Sequence, residues 1–221
     1  MSISKPSPET KFPIIQPDGN IWPYTVYLKN FITQENFQVG DWTYYNDERV
    51  PIESYARRLA PYLFPQSPEK IVLGKFVQIA QGTQFITSSA NHQMSGFSTY
   101  PFFVFGPPWN NIYQPDLPKA KDTIVGHDVW FGHESTIMPG VKIGSGAIIG
   151  TRAVVTKDVP AYAIVAGNPG RVVKYRFPET IIDKLLSIAW WDWPIDLIEQ
   201  NLPVITGADI DALQAISTRV K

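Results

Sequence analysis

Cysteine is absent from the 221 residues, which removes disulfides, thiolate metal ligands and a cysteine nucleophile together. Charge of one sign is missing too: 19 Lys and Arg against 20 Asp and Glu leave a formal net charge of -1. No general attraction to nucleic acid or to an anionic membrane surface is therefore expected. No apolar run approaches the roughly 20 residues that a membrane-spanning helix needs, and the opening MSISKPSPETKFP has no apolar centre like that of a secretory signal. A cytoplasmic location is the resulting expectation. Histidine is scarce, with 3 residues, so each can be weighed separately. What remains is ordinary for a globular chain, 44% hydrophobic and 18% charged, of a length that fits one domain with modest appendages.

The informative feature is a period of six. Val125, Phe131, Ile137, Ile143, Ile149 and Val155 are all large and apolar, and four places after each stand Val129, Ser135, Val141, Ala147, Ala153 and Val159, all small or β-branched. The adjoining register holds Gly126, Gly132, Met138, Gly144, Gly150 and Thr156, with glycine expected to ease the backbone near each corner. Neither a helix nor a simple strand produces this period. It predicts a parallel β-helix, a triangular prism in which each hexad forms one side and three hexads one coil.

The same template fits once at Val39–Tyr44, lapses, and resumes at Leu73, with Leu73, Ile79 and Phe85 inward and Val77, Thr83 and Ser89 at corners. Residues 1–37 are Pro-rich and read as an extended arm; a short helix is expected within 52–63. From 91 to 122 the hexads stop. An insertion this long inside a compact domain is commonly functional, and its Phe97, Tyr100, Phe102, Phe103, Phe105, Trp109 and Tyr113 predict an ordered segment lying against a surface. After Pro160 the prism fades. Pro178-Glu179-Thr180 opens a helical pattern with Ile181, Ile182, Leu185, Leu186 and Ile188 on one face, ended by WWDWP. Further short helices are expected near Ile195 and Asp209. The organisation expected is thus a hexapeptide-repeat domain over 1–177 and a helical cap over 178–221 that covers the end of the prism and its unpaired strand edges.

Among candidate chemical groups, His92 stands at the mouth of the excursion in SSANHQMSGFSTYPF. An imidazole there can accept a proton near neutral pH; the plainer reading is a loop histidine bonded to backbone. His127 and His133 are six apart, hence on different sides of the prism, and form no metal pair; a solvated side chain is expected for His127. Trp130 precedes an inward residue and should point outward, which marks an interface or pocket wall. Arg171, Lys174 and Arg176 follow the turn Gly167-Asn168-Pro169-Gly170, a pattern compatible with an anionic ligand such as phosphate or with ordinary solvated surface.

Taken together, NHQMSGFSTYPF, the prism run IVGHDVWFGHESTIMPGVKIGSGAIIGTRAVVTKDV, AGNPGRVVKYRF and WWDWP resemble the xenobiotic acetyltransferases of the hexapeptide-repeat superfamily. Within that family the likeness is to the virginiamycin (streptogramin A) branch, over roughly residues 38–203. The resemblance implies a left-handed coil, a homotrimer with sites between neighbouring prisms, acetyl-CoA as donor, and a hydroxyl of an antibiotic-like acceptor. It places His92 as the catalytic base. Tyr44, Tyr62, Phe97, Tyr100 and Trp130 fall around the acceptor. Thr151, Ala166, Gly167, Asn168, Pro169, Lys174 and Arg176 fall along coenzyme A, and no metal is implied. Gly170 stands where the family commonly has Ala, and Phe97 intervenes between Gly96 and Ser98, adding an aromatic group to the acceptor loop. Chloramphenicol acetylation, acetylation of an endogenous sugar or metabolite, and a non-catalytic acyl- or nucleotide-binding scaffold are the alternatives.

Overall fold

The computed structural model describes residues 7–218. In chain order its strands are β1 (Thr25–Tyr27), β2 (Phe37–Val39), β3 (Tyr44–Asn46), β4 (Ile71–Leu73), β5 (Gln78–Ile79), β6 (Gln84–Phe85), β7 (Thr123–Val125), β8 (Trp130–Phe131), β9 (Thr136–Ile137), β10 (Lys142–Ile143), β11 (Ile148–Ile149), β12 (Val154–Val155), β13 (Ala163–Ala166) and β14 (Arg171–Tyr175). They form three sheets, ordered β1-β3-β5-β8-β11-β13-β14, β10-β7-β4-β2 and β12-β9-β6. From β7 to β12 the chain visits these sheets in strict rotation, so each hexad is one side of a three-sided coil. Phe131 stacks on Ile149, and Ile79 on Phe131, across the whole 91–122 excursion. The inward residues Phe85, Phe131, Ile137 and Ile149 are fully buried, as are the corner residues Val77, Thr83, Val129, Ser135, Ala147 and Ala153.

Two different backbone demands repeat along the coil. Glycines directly after the inward residue permit close stacking: a Cβ on Gly126 would lie 2.6 Å from Ser145 N, where the two coils exchange the bond Gly126 N–H to Ile143 O at 2.8 Å. The left-handed conformation falls instead three residues before the inward position, and side chains occupy it at Trp42, Phe76, Asp128, Glu134, Arg152 and Tyr162. Each such residue costs of order 1–3 kcal/mol and persists because the stacked coils above and below fix it. The glycines directly after the inward residues are therefore there for contact, whereas Gly82, Gly140 and Gly146 take the left-handed conformation in the other register.

The coil runs further than its sequence pattern. Tyr45, one hexad on from Val39, is fully buried, and Val165 in β13 is buried as well. The N-terminal arm is part of the fold near its end: Val26 and Leu28 are fully buried and β1 pairs antiparallel with β3. At the other extremity β14 pairs antiparallel with β13. These two reversed strands flank the long sheet at both ends. The coil over 73–90 stops short of its expected corner, since Ser89 is exposed and lies in a 3-10 turn, Ser88–Ala90.

The helices are α1 (Tyr55–Leu59), α2 (Glu179–Ile188), α3 (Ile195–Gln200), α4 (Leu202–Gly207) and α5 (Ile210–Ser217). The first lies in the 52–63 window, and α2, α3 and α5 fall where expected; α4 went unpredicted. In α2 Ile182 and Ile188 are buried, while Leu186 is exposed. Ala189 ends α2 in the left-handed conformation. The C-terminal helices lie along one prism corner instead of over its end. Phe76 stacks 5.0 Å from Trp190 and His127 5.2 Å from Trp191, and Lys75 Nζ reaches Asp192 at 2.8 Å. Trp190 and its neighbours need an apolar partner, and the corner's Phe76 supplies one.

Contact and not flexibility at the repeat glycines leads to a clear expectation. Gly126→Ala should destabilise the protein by about 1–3 kcal/mol through overpacking. Gly106→Ala, with nothing within 4 Å of the added methyl, should fall within about 0.5 kcal/mol of the parent. Denaturant melts of both variants measure this; equal effects would contradict it.

Candidate active site

His92 leaves the prism two residues after the turn Ser88–Ala90. Its Nδ1 lies 2.9 Å from the carbonyl oxygen of Thr99. A carbonyl can only accept, so Nδ1 carries the hydrogen and Nε2 is left with an exposed lone pair. The plainer reading, a loop histidine bonded to backbone, is what this bond shows. The foot of the loop is tied down on several sides. The Thr87 hydroxyl donates to Tyr62 O at 2.7 Å, the Ser67 and Ser89 hydroxyls lie 3.1 Å apart, and Ser89 N–H reaches Glu69 Oε1 at 3.3 Å. The Tyr62 carbonyl is thus joined to the chain just before the turn from which the loop leaves.

Most of the excursion's large apolar residues remain exposed on this chain. Its rings pack on each other: Tyr100 lies 4.6 Å from Phe102 and 5.3 Å from Phe105, and Phe102 5.2 Å from Trp109. Phe97 is 116% exposed, and Met94, Tyr100 and Trp109 are exposed as well. Too many apolar groups face outward for a segment that is merely solvated. Beside His92 lies a hollow of ≈ 150 Å³, lined by Gln93, Ser98, Thr99 and Tyr100 among others, below the usual size of a small-molecule site of about 300 Å³ or more.

The other acceptor candidates lie elsewhere. Tyr44 and Trp130 both register with Gln78 on the outer face of the long sheet. Trp130 points outward, 49% exposed. Tyr44 is half-buried, and burial raises its pKa. His92, Phe97 and Tyr100 thus lie on the loop, and Tyr44 and Trp130 on the outer face of the long sheet.

A third group gathers at the corner after the long sheet. The Thr151 backbone N lies at the stacking position above Gly132, and Gly150 sits beneath Val165 and Ala166. Val154 N–H donates to Gly167 O at 3.0 Å and Gly170 N–H to Val154 O at 2.7 Å. Thr151, Ala166, Gly167, Asn168 and Pro169 are all exposed here, and Lys174 is exposed on the adjoining β14. Arg176 belongs to a different place. It donates to Gly146 O at 2.7 Å, approaches Asp128 Oδ2 at 3.5 Å and covers the Tyr162 ring at 5.2 Å. The basic run 171–176 is thus a strand whose last cation turns back to the helical corner.

His127 is not solvated as expected. Its Nδ1 accepts the Lys75 N–H at 3.0 Å and its ring lies flat on Trp191. His133 lies 3.5 Å from Glu134, and no group suited to holding a metal ion occurs among the described residues. Among those residues no helix is long and apolar enough to cross a membrane. Sequence reasoning did not single out Asp128, Tyr162 or the Thr99 carbonyl. The first two share the left-handed corner register, a signal present in the hexad count, while nothing local marks Thr99.

Comparison with known proteins agrees with the repeat. Residues 122–157 match the family model described as bacterial transferase hexapeptide (six repeats). The chain is 42% identical to the virginiamycin A acetyltransferase of Staphylococcus aureus, over 95% of this chain and 92% of that protein. It is 38% identical to a chloramphenicol acetyltransferase of Agrobacterium fabrum, over 85% and 90%. To a probable macrolide acetyltransferase of Lysinibacillus sphaericus it is 45% identical, over 63% and 78%.

The His127 environment predicts a pH effect. Burial lowers its pKa below the usual 6.5, ahead of the opposing pull of Asp192. The unfolded chain therefore takes up this proton before the folded one does, and His127's contribution is full above about pH 6.5 and lost as pH falls through that value toward the folded pKa. The melting temperature should drop from pH 7 to pH 5 by less in His127→Gln, whose amide oxygen can still accept the Lys75 N–H. An identical drop in both proteins would contradict this.

Proposed function

The chain belongs to the hexapeptide-repeat acetyltransferases, and we propose that it transfers the acetyl group of acetyl-CoA to a hydroxyl of a streptogramin A type antibiotic. The choice of acceptor is supported by the likeness to the staphylococcal virginiamycin A acetyltransferase, which spans more of this chain than the chloramphenicol relative does. The apolar, aromatic excursion suits a large macrocycle better than a sugar. Chloramphenicol is the second reading, favoured by the 38% identical relative.

One observation carries the chemistry, the 2.9 Å bond between His92 Nδ1 and Thr99 O. It leaves Nε2 as the base. Nε2 takes the proton of the acceptor hydroxyl as that oxygen attacks the thioester carbonyl, and backbone N–H groups at a coil edge stabilise the oxyanion. The intermediate then expels coenzyme A thiolate, which recovers the proton from the imidazolium. A covalent acetyl-enzyme has no support, since the chain holds no cysteine and no serine hydroxyl bonds an imidazole among the described residues.

The coil is left-handed in this reading, and three copies associate. The separation of the two half-sites supports association: His92 and its exposed loop on one chain meet Tyr44 and Trp130 on the next, with the loop's rings covered by that neighbour. Coenzyme A runs along the corner of Thr151, Ala166, Gly167, Asn168 and Pro169, with Lys174 toward its phosphates. Arg176, paired with Asp128, is left out of that group.

Thiol release from acetyl-CoA should be fast with streptogramin A, slower with chloramphenicol and absent with simple sugars. His92→Ala should lower kcat about 10²–10⁴-fold with coenzyme A affinity nearly unchanged. A variant at wild-type rate would remove His92 from the role. Sedimentation should give three times the 24.9 kDa chain mass; a single-chain mass would contradict the shared site.

A further inference from the structure

A cavity of ≈ 430 Å³ lies between the prism corner and the C-terminal helices, well apart from the His92 loop in its lining. Its floor is the corner register, Phe76, Asp128 and Tyr162, and its walls are apolar residues of α2, α4 and α5 such as Leu185, Ile205 and Leu213. The volume lies within the range of about 300–1,000 Å³ usual for small-molecule sites.

Its polar groups are few and converge. Asp128 accepts from Gln78 Nε2 at 3.2 Å and faces Arg176 at 3.5 Å, so the two formal charges cancel locally. Asp209 also lines the cavity, but its carboxylate caps α5 by accepting Ala212 N–H at 3.0 Å. Tyr162 is 2% exposed, lines the cavity, and its hydroxyl has no hydrogen-bond partner among the described residues. That hydroxyl can therefore donate to a molecule in the cavity. Arg176 spends Nη1 on Gly146 and Asp128, which leaves donors on its other nitrogens.

We propose that this cavity is a second small-molecule site. It takes an uncharged amphipathic molecule whose apolar body lies among α2, α4 and α5 and whose single hydroxyl or carbonyl oxygen accepts from Tyr162. The balanced Asp128–Arg176 pair gives no net attraction to a charged head group, and burying one there would carry a desolvation cost. Burial and the neighbouring Asp128 push the Tyr162 phenol up to about 12, so it stays a neutral donor.

Calorimetric titration of the full-length protein with 1-decanol, decanoate and decylamine, each with and without saturating coenzyme A, tests this. Decanol should bind tightest, and coenzyme A should leave its affinity unchanged. Tyr162→Phe, which keeps the ring, should weaken decanol roughly fivefold. Ile205→Trp, confirmed folded by its melt, should abolish binding by filling the space. No binding by any probe, tighter binding of either charged probe, loss of binding with coenzyme A, or affinity indifferent to both substitutions would each overturn the proposal. None of these readings depends on acetyl transfer.

Discussion

Coil-on-coil stacking is the constraint from which the rest follows. Each coil must place its backbone N–H groups under the carbonyls of the next, as Gly126 does to Ile143 and Gly132 to Ile149. Residues directly above one another are then fixed for the length of the prism. At Gly126 and Gly144 the approach is too close for any side chain. Insertions leave the coil and return to the same register, as residues 47–70 and 91–122 do. That is how a loop as long as the second can carry His92 without disturbing the core beneath it.

Register also decides which groups can cooperate. Tyr44, Gln78 and Trp130 share one outer face because their strands are neighbours. Thr151 and Ala166–Pro169 share a corner for the same reason. Phe76, Asp128 and Tyr162 share another, and there the helices attach. His92 leaves the prism after β6, on a different sheet from Tyr44 and Trp130. The proposed trimer would bring the loop side of one copy to the long-sheet side of the next by rotation.

Much of this was legible in the residues. The hexads fixed which side chains point inward, and Phe131, Ile137 and Ile149 are buried as counted. The outward Trp130 and the helices at 179–188 and 195–200 were likewise visible. What escaped was non-periodic. β1 and β14 run antiparallel at the ends, where no repeat announces them, and Tyr45 and Val165 prolong the coil past the point where their neighbours obey the pattern. His127 was misread because its cover, Trp191, comes from distant sequence. The Asp128–Arg176 pair depends on where β14 turns back, and the Thr99 carbonyl on the path of an aperiodic loop. Such juxtapositions are set by tertiary packing and leave no local signature.

The central claim is that His92 of one copy works on a substrate held against the long sheet of the next. Co-expression of a His92→Ala chain with a Trp130→Glu chain tests it most directly. Each variant alone should be nearly inactive. The co-expressed pool, assembling at random into trimers of which about three quarters are mixed, should regain about a quarter of wild-type activity, since one of the three sites in each mixed trimer retains both intact halves. Mixed trimers as inactive as their parents would contradict the account.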